Sequence, residues 1–475
     1  MKKVLKIIIM FLALFTLTSC SNKSQEELVL VTEAGFAPYE YYSNGKIVGV
    51  DIDIAEKIAE RLNKKLVIKD VAFDSIINEI KTKKSDLGAA GISYTEERAK
   101  QVNFTINYAS SKQVIIVNKN SSILDASTLS GNVAVQLGTV ADSYLTENYP
   151  NVNVVREKKF LAAIQDLKDN KVDAVVMDEL PAKKLITDNM IILKDPLVVD
   201  NYGMIVEKSN TELLETCNEV INEMTEDGTI DEIILTHMGF KEENTKSNSL
   251  IDKFYSTVIY DARYQYILEG LLNTILIAIC AVIIGVVLGT LLAIIRNYHD
   301  NTGKFKLLNA IAKSYITIIR GTPSILQLMI IYYVIFKSTS VNIIFVGMLA
   351  FGINSAAYVA EIIRAGLNSV EKGQIEAGYA LSLNYNQVMH YIIFPQAIKN
   401  ILPALGNEFI TLVKETSVGA YIGIIELTKA SDIIASRTYD YFFPLILIAL
   451  IYLLITYGLS KLVNLMEKRL NNVRN

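Results

Sequence analysis

Residues 271–295 read "LLNTILIAICAVIIGVVLGTLLAII", a run without a single charged side chain. As a helix it would be about 37 Å long, enough to cross the ~30 Å hydrocarbon core of a bilayer. The run divides the chain into unlike halves. Up to residue 250 there are 28 Lys and Arg against 37 Asp and Glu, and afterwards 18 against 13. An acidic polar half thus precedes a basic apolar one, the order expected of an exported domain followed by membrane segments with basic cytoplasmic loops. Of the 475 residues 51% are hydrophobic, too many for an ordinary soluble protein, and the net charge of −4 argues against a nucleic-acid binder.

Downstream, further spans are expected at 308–336, 341–363, 396–424 and 440–463, five in all. Arg296, Lys304, Lys306 and Lys313 follow the first, Arg364 and Lys372 the third, and Lys461, Lys468 and Arg469 the fifth. By the positive-inside rule these groups face the cytoplasm and the acidic half lies outside. Gly321 and Pro323 interrupt the second span. Asn354, Glu361, Lys414 and Glu415 lie in or near spans, where a polar group marks a pathway or a helix contact. Between spans three and four, "EAGYALSLNYNQVMHYIIFPQA" (376–397) is too polar to cross. It predicts a short helix from Gln374 to Ser382, then a second capped by Asn384 with Gln387 reciprocating and ended by Pro395. A small helix beside a glycine is suited to docking in a partner's groove.

Upstream, 1–20 has the basic start and short apolar core of an export signal, ending in "LTSC". Cys20 is then the expected site of lipid attachment, with 21–26 a tether. Residues 27–240 alternate apolar strands with helices such as "VDIDIAEKIAERLN", for which Asp51 is the expected N-cap and Ile54, Ile58 and Leu62 the buried face. Asp74 is the expected cap of the helix that follows. Two successive α/β series predict a two-lobed domain with a cleft, and segments near 113–117 and 202–206 are candidate hinge crossovers. A polar linker, 241–254, joins it to the membrane half, 255–475.

Ligands of open α/β sheets sit beyond the carboxyl ends of the strands. The residues at those ends are Glu33 and Phe36, Phe73, then Gly91, Ser93 and Arg98, then Gln136 and Thr139 within "QLGT", and Asp178. Arg98 can clamp a carboxylate through paired donors, Asp178 can take an ammonium from the other lobe, and the two phenylalanines can sandwich a side chain. That is what a free amino acid requires. Glu33 either caps local backbone or reads the far end of the side chain, where a carboxylate suits a cation or an amide.

The stretch "ISYTEER" (92–98), with the rest of 27–240, resembles the extracellular solute-binding proteins of polar amino-acid ABC importers. "RGTP", "AEIIRAGLNSVEKGQIEAGYALSLNYNQ", "FPQA" and "NEFITLVKETSVGAYI" resemble the permeases of the same importers over about 255–470. The resemblance implies a periplasmic-binding-protein-like α/β domain fused to an all-α transmembrane permease domain of five helices. It implies that Arg98, assisted by Gly91 and Ser93, holds the α-carboxylate and Asp178 the α-ammonium. It further implies a cytoplasmic coupling helix near 374–394 carrying Glu376, Ala377, Gly378, Ala380 and Leu381. The motif usually reads EAA where this chain has Glu-Ala-Gly, and Leu-Gly where it has Leu-Ser-Leu-Asn.

No Gly-x4-Gly-Lys-Ser/Thr occurs, so ATP hydrolysis is assigned to a separate ATP-binding subunit, with a permease homodimer in membrane lipid as the expected assembly. Neither a cofactor nor a metal is expected. Two other classes fit less well. A ligand-gated channel would interrupt the binding module with spans and a filter loop such as TVGYG, and an enzyme would need an acid–base pair, whereas His237, His299 and His390 are scattered.

Overall fold

The structure is a computed structural model that describes residues 26–43, 45–239, 250–336, 341–438 and 440–472. The expected signal segment with Cys20, almost all of the tether, and 241–249 of the linker lie outside the described residues.

The first half forms two lobes. In lobe one, β1 (Glu27–Thr32) runs parallel to both β4 (Lys65–Asp70) and β5 (Leu87–Gly88). Pairing on both edges explains why "LVLV" is apolar at every position rather than alternating. β2 (Tyr41–Ser43) and β3 (Lys46–Val48) make a separate hairpin. β6 (Asn103–Phe104) and β13 (Ile205–Val206) complete the sheet in the order β4-β1-β5-β13-β6. Lobe two contains β7 (Ala109–Asn118), β8 (Gly131–Gln136), β9 (Val152–Glu157), β10 (Ala174–Asp178), β11 (Met190–Ile192) and β12 (Val198–Tyr202). Its order is β11-β7-β10-β8-β9, with β12 also on β7.

The chain therefore crosses between lobes twice, from β6 to β7 and from β12 to β13. The second crossing lies in the expected 202–206 segment. The first runs through 105–108, and 113–117 is instead the middle of β7. Asp51 is not an N-cap. Gly49 precedes the Val50–Arg61 helix, and Asp51 is buried in its first turn, accepting the Gly91 N–H at 3.0 Å and the Tyr108 hydroxyl at 2.7 Å. Nor does Asp74 cap: it lies in a 3-10 turn, and Ser75 precedes the Ile76–Lys81 helix.

The second half is helical. The Tyr264–Thr302, Ile343–Asn368 and Phe442–Asn472 helices are long and apolar enough to cross a membrane. The expected second span is a bent pair, with 110° between Lys306–Arg320 and the helix beginning at Ser324. Gly321 and Pro323 stand at the bend, where proline removes a donor and ends the preceding turn. The expected fourth span is the Phe394–Glu415 helix. It carries Lys399, Glu408, Lys414 and Glu415 and does not have the composition of the other three.

Within this half the Asn354 amide donates to Gln327 at 2.8 Å, and Glu361 pairs with Arg296 and, at 2.8 Å, with Arg364. The contacts of Asn354 with Gln327 and of Glu361 with Arg296 join different helices, while Arg364 is on the same helix as Glu361. The helix expected from Gln374 to Ser382 runs instead from Lys372 to Ala380, and the expected capping box of Asn384 and Gln387 opens the next turn. Pro395 does not end the second helix; a π-helical turn, Met389–Ile393, runs straight into Phe394–Glu415, with Pro395 just past that turn.

One helix sets the scale of the molecule. Tyr266, at the start of Tyr264–Thr302, packs edge-on against Tyr42 of lobe one, while Asn297 near its end accepts the Tyr385 hydroxyl of the capped turn at 2.7 Å. Along a helix the two contacts are about 47 Å apart.

Candidate ligand-binding site

The loop after β1 carries Glu33 and Phe36. The loop after β5 carries Gly91 and Ser93 and leads into the short Glu96–Ala99 helix, capped by Thr95, that presents Arg98. From lobe two, Gln136 ends β8, Thr139 caps the Val140–Asn148 helix, and Asp178 ends β10. All nine residues expected from sequence, Phe73 included, line one cavity between the lobes, joined by Glu40, Gln113 and Phe160. The cavity holds about 20 Å³, room for little more than one water, so the lobes are closed on each other and have to part to admit a larger molecule.

Several contacts cross the cleft. The Arg98 guanidinium donates to the Ser93 carbonyl and, across to lobe two, to the Gly138 carbonyl, both at 2.7 Å. It lies 5.6 Å from the centre of the Phe73 ring. Phe36 stacks on Phe160 of lobe two at 5.6 Å, so the two phenylalanines expected to face each other each have a different partner. Ser93 hydrogen bonds to Asp200, beside the hinge. Glu33 Oε1 is 3.3 Å from Lys159 Nζ of lobe two, both side chains largely buried.

Asp178 accepts from the Ser111 hydroxyl and the Gln113 amide at 2.7 Å, and from the Tyr202 hydroxyl. Burial, then the neighbouring Asp200 carboxylate, pushes its pKa up to about 7. Burial likewise pushes Asp51 up to about 6, and it lifts Glu40 well above the ordinary carboxylate range. Burial draws Arg98 down, with Asp200 and Asp178 opposing. Burial also works against the Lys159 charge, but Glu33, Asp432 and Asp70 together hold that ammonium above its ordinary value, while burial lifts Glu33. The cleft thus sets Arg98 and Asp178, groups of opposite sign when ionised, on opposite lobes, while burial favours the neutral form of its carboxyls.

Sequence reading missed Glu40, Gln113, Lys159, Phe160 and Asp200. Phe160 opens a helix after β9 and so obeyed the strand-end rule. Gln113 and Asp200 sit on strands β7 and β12, where nothing local marks them.

Both lobes also touch the helical half. Asp70, at the end of β4, forms a buried ion pair with Lys429 at 2.8 Å and accepts the Ala34 N–H at 3.1 Å and the Tyr42 hydroxyl at 3.0 Å. Lys69 donates to the Tyr332 hydroxyl at 2.5 Å, and Lys84 to the Phe336 carbonyl at 3.0 Å. From lobe two, Lys158 lies over the Tyr421 ring. The Leu427–Thr438 helix supplies Lys429, and its Ala430, Ile433 and Ile434 pack on Ala34 and Tyr42, next to Glu33.

Residues 28–240 match the family of bacterial extracellular solute-binding proteins, family 3, and residues 285–472 match the binding-protein-dependent transport system inner membrane component. A putative glutamine transport system permease protein of Rickettsia bellii is 39% identical over 219 residues, covering 46% of this chain and 98% of that protein. The arginine transport system permease protein ArtQ of Bacillus subtilis is 38% identical over 209 residues, 44% of this chain and 93% of that one. Among solved structures, a mutant of ArgBP from T. maritima shares 37% identity over 45% of this chain and 96% of its own, with a TM-score of 0.43.

Proposed function

Because this chain belongs both to the family 3 extracellular solute-binding proteins and to the binding-protein-dependent inner membrane components, we propose that it captures a polar L-amino acid between its two lobes and passes it through its own helical half into the cell. It is a fused receptor and permease of an amino-acid ABC importer. The observation that carries the substrate assignment is the cleft itself. Arg98 supplies a planar fork of donors for an α-carboxylate, and Asp178 a carboxylate for an α-ammonium, from opposite lobes. A ligand held by both ends favours the closed state by the difference in its affinity for the two states.

The motor is a separate cytoplasmic ATP-binding subunit, and the groove-seeking surface is the Lys372–Ala380 helix with the residue after it. Glu376, Ala377, Ala380 and Leu381 are exposed around a buried Gly378. The receptor lies outside and this helix inside. The ~47 Å between their contacts on one helix exceeds the hydrocarbon thickness, and the basic residues gather at the far end. Two copies pair through their helical halves in the bilayer, each tethered outside by a lipid on Cys20.

Calorimetry of the full chain in detergent micelles against the twenty L-amino acids tests the reading. One polar class is expected to bind at micromolar Kd or tighter. Silence across the panel from folded protein would remove the amino-acid assignment.

A further inference from the structure

Glu33 lines the cavity from lobe one, and Lys159, the neighbour of the lining residue Phe160, reaches the Glu33 carboxylate from lobe two at 3.3 Å. Among the described residues neither Glu33 Oε1 nor Lys159 Nζ completes a hydrogen bond, although both are buried. An acceptor and a donor therefore stand side by side with capacity to spare. The next anion, Asp70, is itself paired with Lys429 at 2.8 Å, so these two acids and two lysines balance formally. Asp432 of the helical half acts on Lys159 as well, and helps keep that side chain an ammonium.

Resting on the substrate reading above, we propose that Lys159 is a specificity-determining residue: with Glu33 it forms a matched acceptor and donor that selects a neutral carboxamide side chain, glutamine or asparagine, over the cations of arginine and lysine. A carboxamide presents an NH2 that donates and a carbonyl that accepts, one for each partner. A guanidinium or an ammonium only donates. Moving toward Glu33 it meets the like charge of Lys159 in a dry site, where Coulomb repulsion is weakly screened. A carboxylate side chain meets the mirror problem at Glu33. Sites that read hydrogen bonds with buried groups discriminate strongly, because the wrong ligand leaves those groups unpaired. The pair also spans the cleft, so the selection operates as the lobes close.

The test is competitive calorimetry on the full chain in detergent with glutamine, asparagine, arginine, lysine and glutamate. The unaltered chain is expected to bind glutamine or asparagine at least tenfold more tightly than arginine or lysine. Lys159→Met is expected to shift the arginine-to-glutamine preference at least tenfold toward arginine, and Lys159→Arg to keep the original order. Arginine or lysine winning on the unaltered chain overturns the proposal while leaving the amino-acid reading intact. So does an unchanged order in a Lys159→Met protein that melts normally. Binding of none of them, or of any other amino acid, overturns both.

Discussion

Arg98 and Asp178 hold opposite charge on opposite lobes, and each is already engaged by protein groups. A substrate carboxylate has to displace two backbone carbonyls from the guanidinium, which two parallel charge-assisted bonds can do and one cannot. Arg98→Ala is expected to weaken substrate binding by about 100-fold or more, in keeping with the 2–5 kcal/mol lost when one partner of a buried charge pair is removed. Arg98→Lys is expected to recover little, because the fork is lost. Titration of the full chain checks both. The Asp178 carboxyl, pushed up to about 7 by burial and Asp200, adds a pH signature. A protonated Asp178 cannot pair with an ammonium, so binding has to expel that proton. Affinity should be full above pH 7 and fall roughly tenfold per unit below it. A Kd unchanged between pH 8 and pH 5.5 would remove Asp178 from the ammonium site. Nine of the cavity's residues were legible in the sequence because strand ends converge in an open α/β sheet. Lys159 was not, since one lysine in "REKKF" looks like any surface lysine until the other lobe is placed over it.

At the scale of elements, the loop after β5 depends on a glycine. Gly91 has φ of +52°, and a Cβ there would stand 2.6 Å from the Phe36 ring. Gly91→Ala is expected to cost about 2–4 kcal/mol from left-handed strain and overpacking together, read as a lowered unfolding midpoint. Asp51 shows why such loops resist local reading. Its sequence context is that of a helix cap, but its partners, Gly91 and Tyr108, are 40 and 57 residues away. The second glycine with an assigned task is Gly378, where a Cβ would meet Ile392 at 2.6 Å and Val388 at 3.1 Å. Gly378→Val should push the two short helices apart; if they couple to an ATP-binding subunit as proposed, transport is uncoupled from ATP hydrolysis while substrate affinity stays unchanged. Equal losses of both would argue for a general folding defect. Apolar runs made four of the five expected spans readable. The Phe394–Glu415 helix blurs the signal because Lys399, Glu408, Lys414 and Glu415 interrupt its apolar run; Glu408 accepts the Ser355 hydroxyl of a neighbouring helix at 2.7 Å.

Across the whole molecule, the two halves are joined by charge as well as by chain. Lys429→Met would leave Asp70 buried without a cation, a cost of about 3–5 kcal/mol. The expected result is loss of protection at residues 69–71 in hydrogen exchange and loss of uptake in proteoliposomes, with substrate binding retained. Adding Asp70→Asn should restore part of the protection, since the stranded charge is gone; failure to do so would mean the pair does not hold the halves together. None of this interface was visible in one dimension, because its residues come from 34–42, 69–84, 158–159, 266, 332–336 and 421–435, and no periodicity links them.

The contact between lobes and helices has a consequence for how such a transporter sits among its neighbours. The surface that accepts the lobes is occupied by a partner encoded in the same polypeptide. A freely diffusing binding protein of another specificity would have to compete with one held beside the site by its own chain. Importers that draw on a shared pool of receptors can change their diet by changing which receptor is made; this one can do so only by mutation of its own cleft.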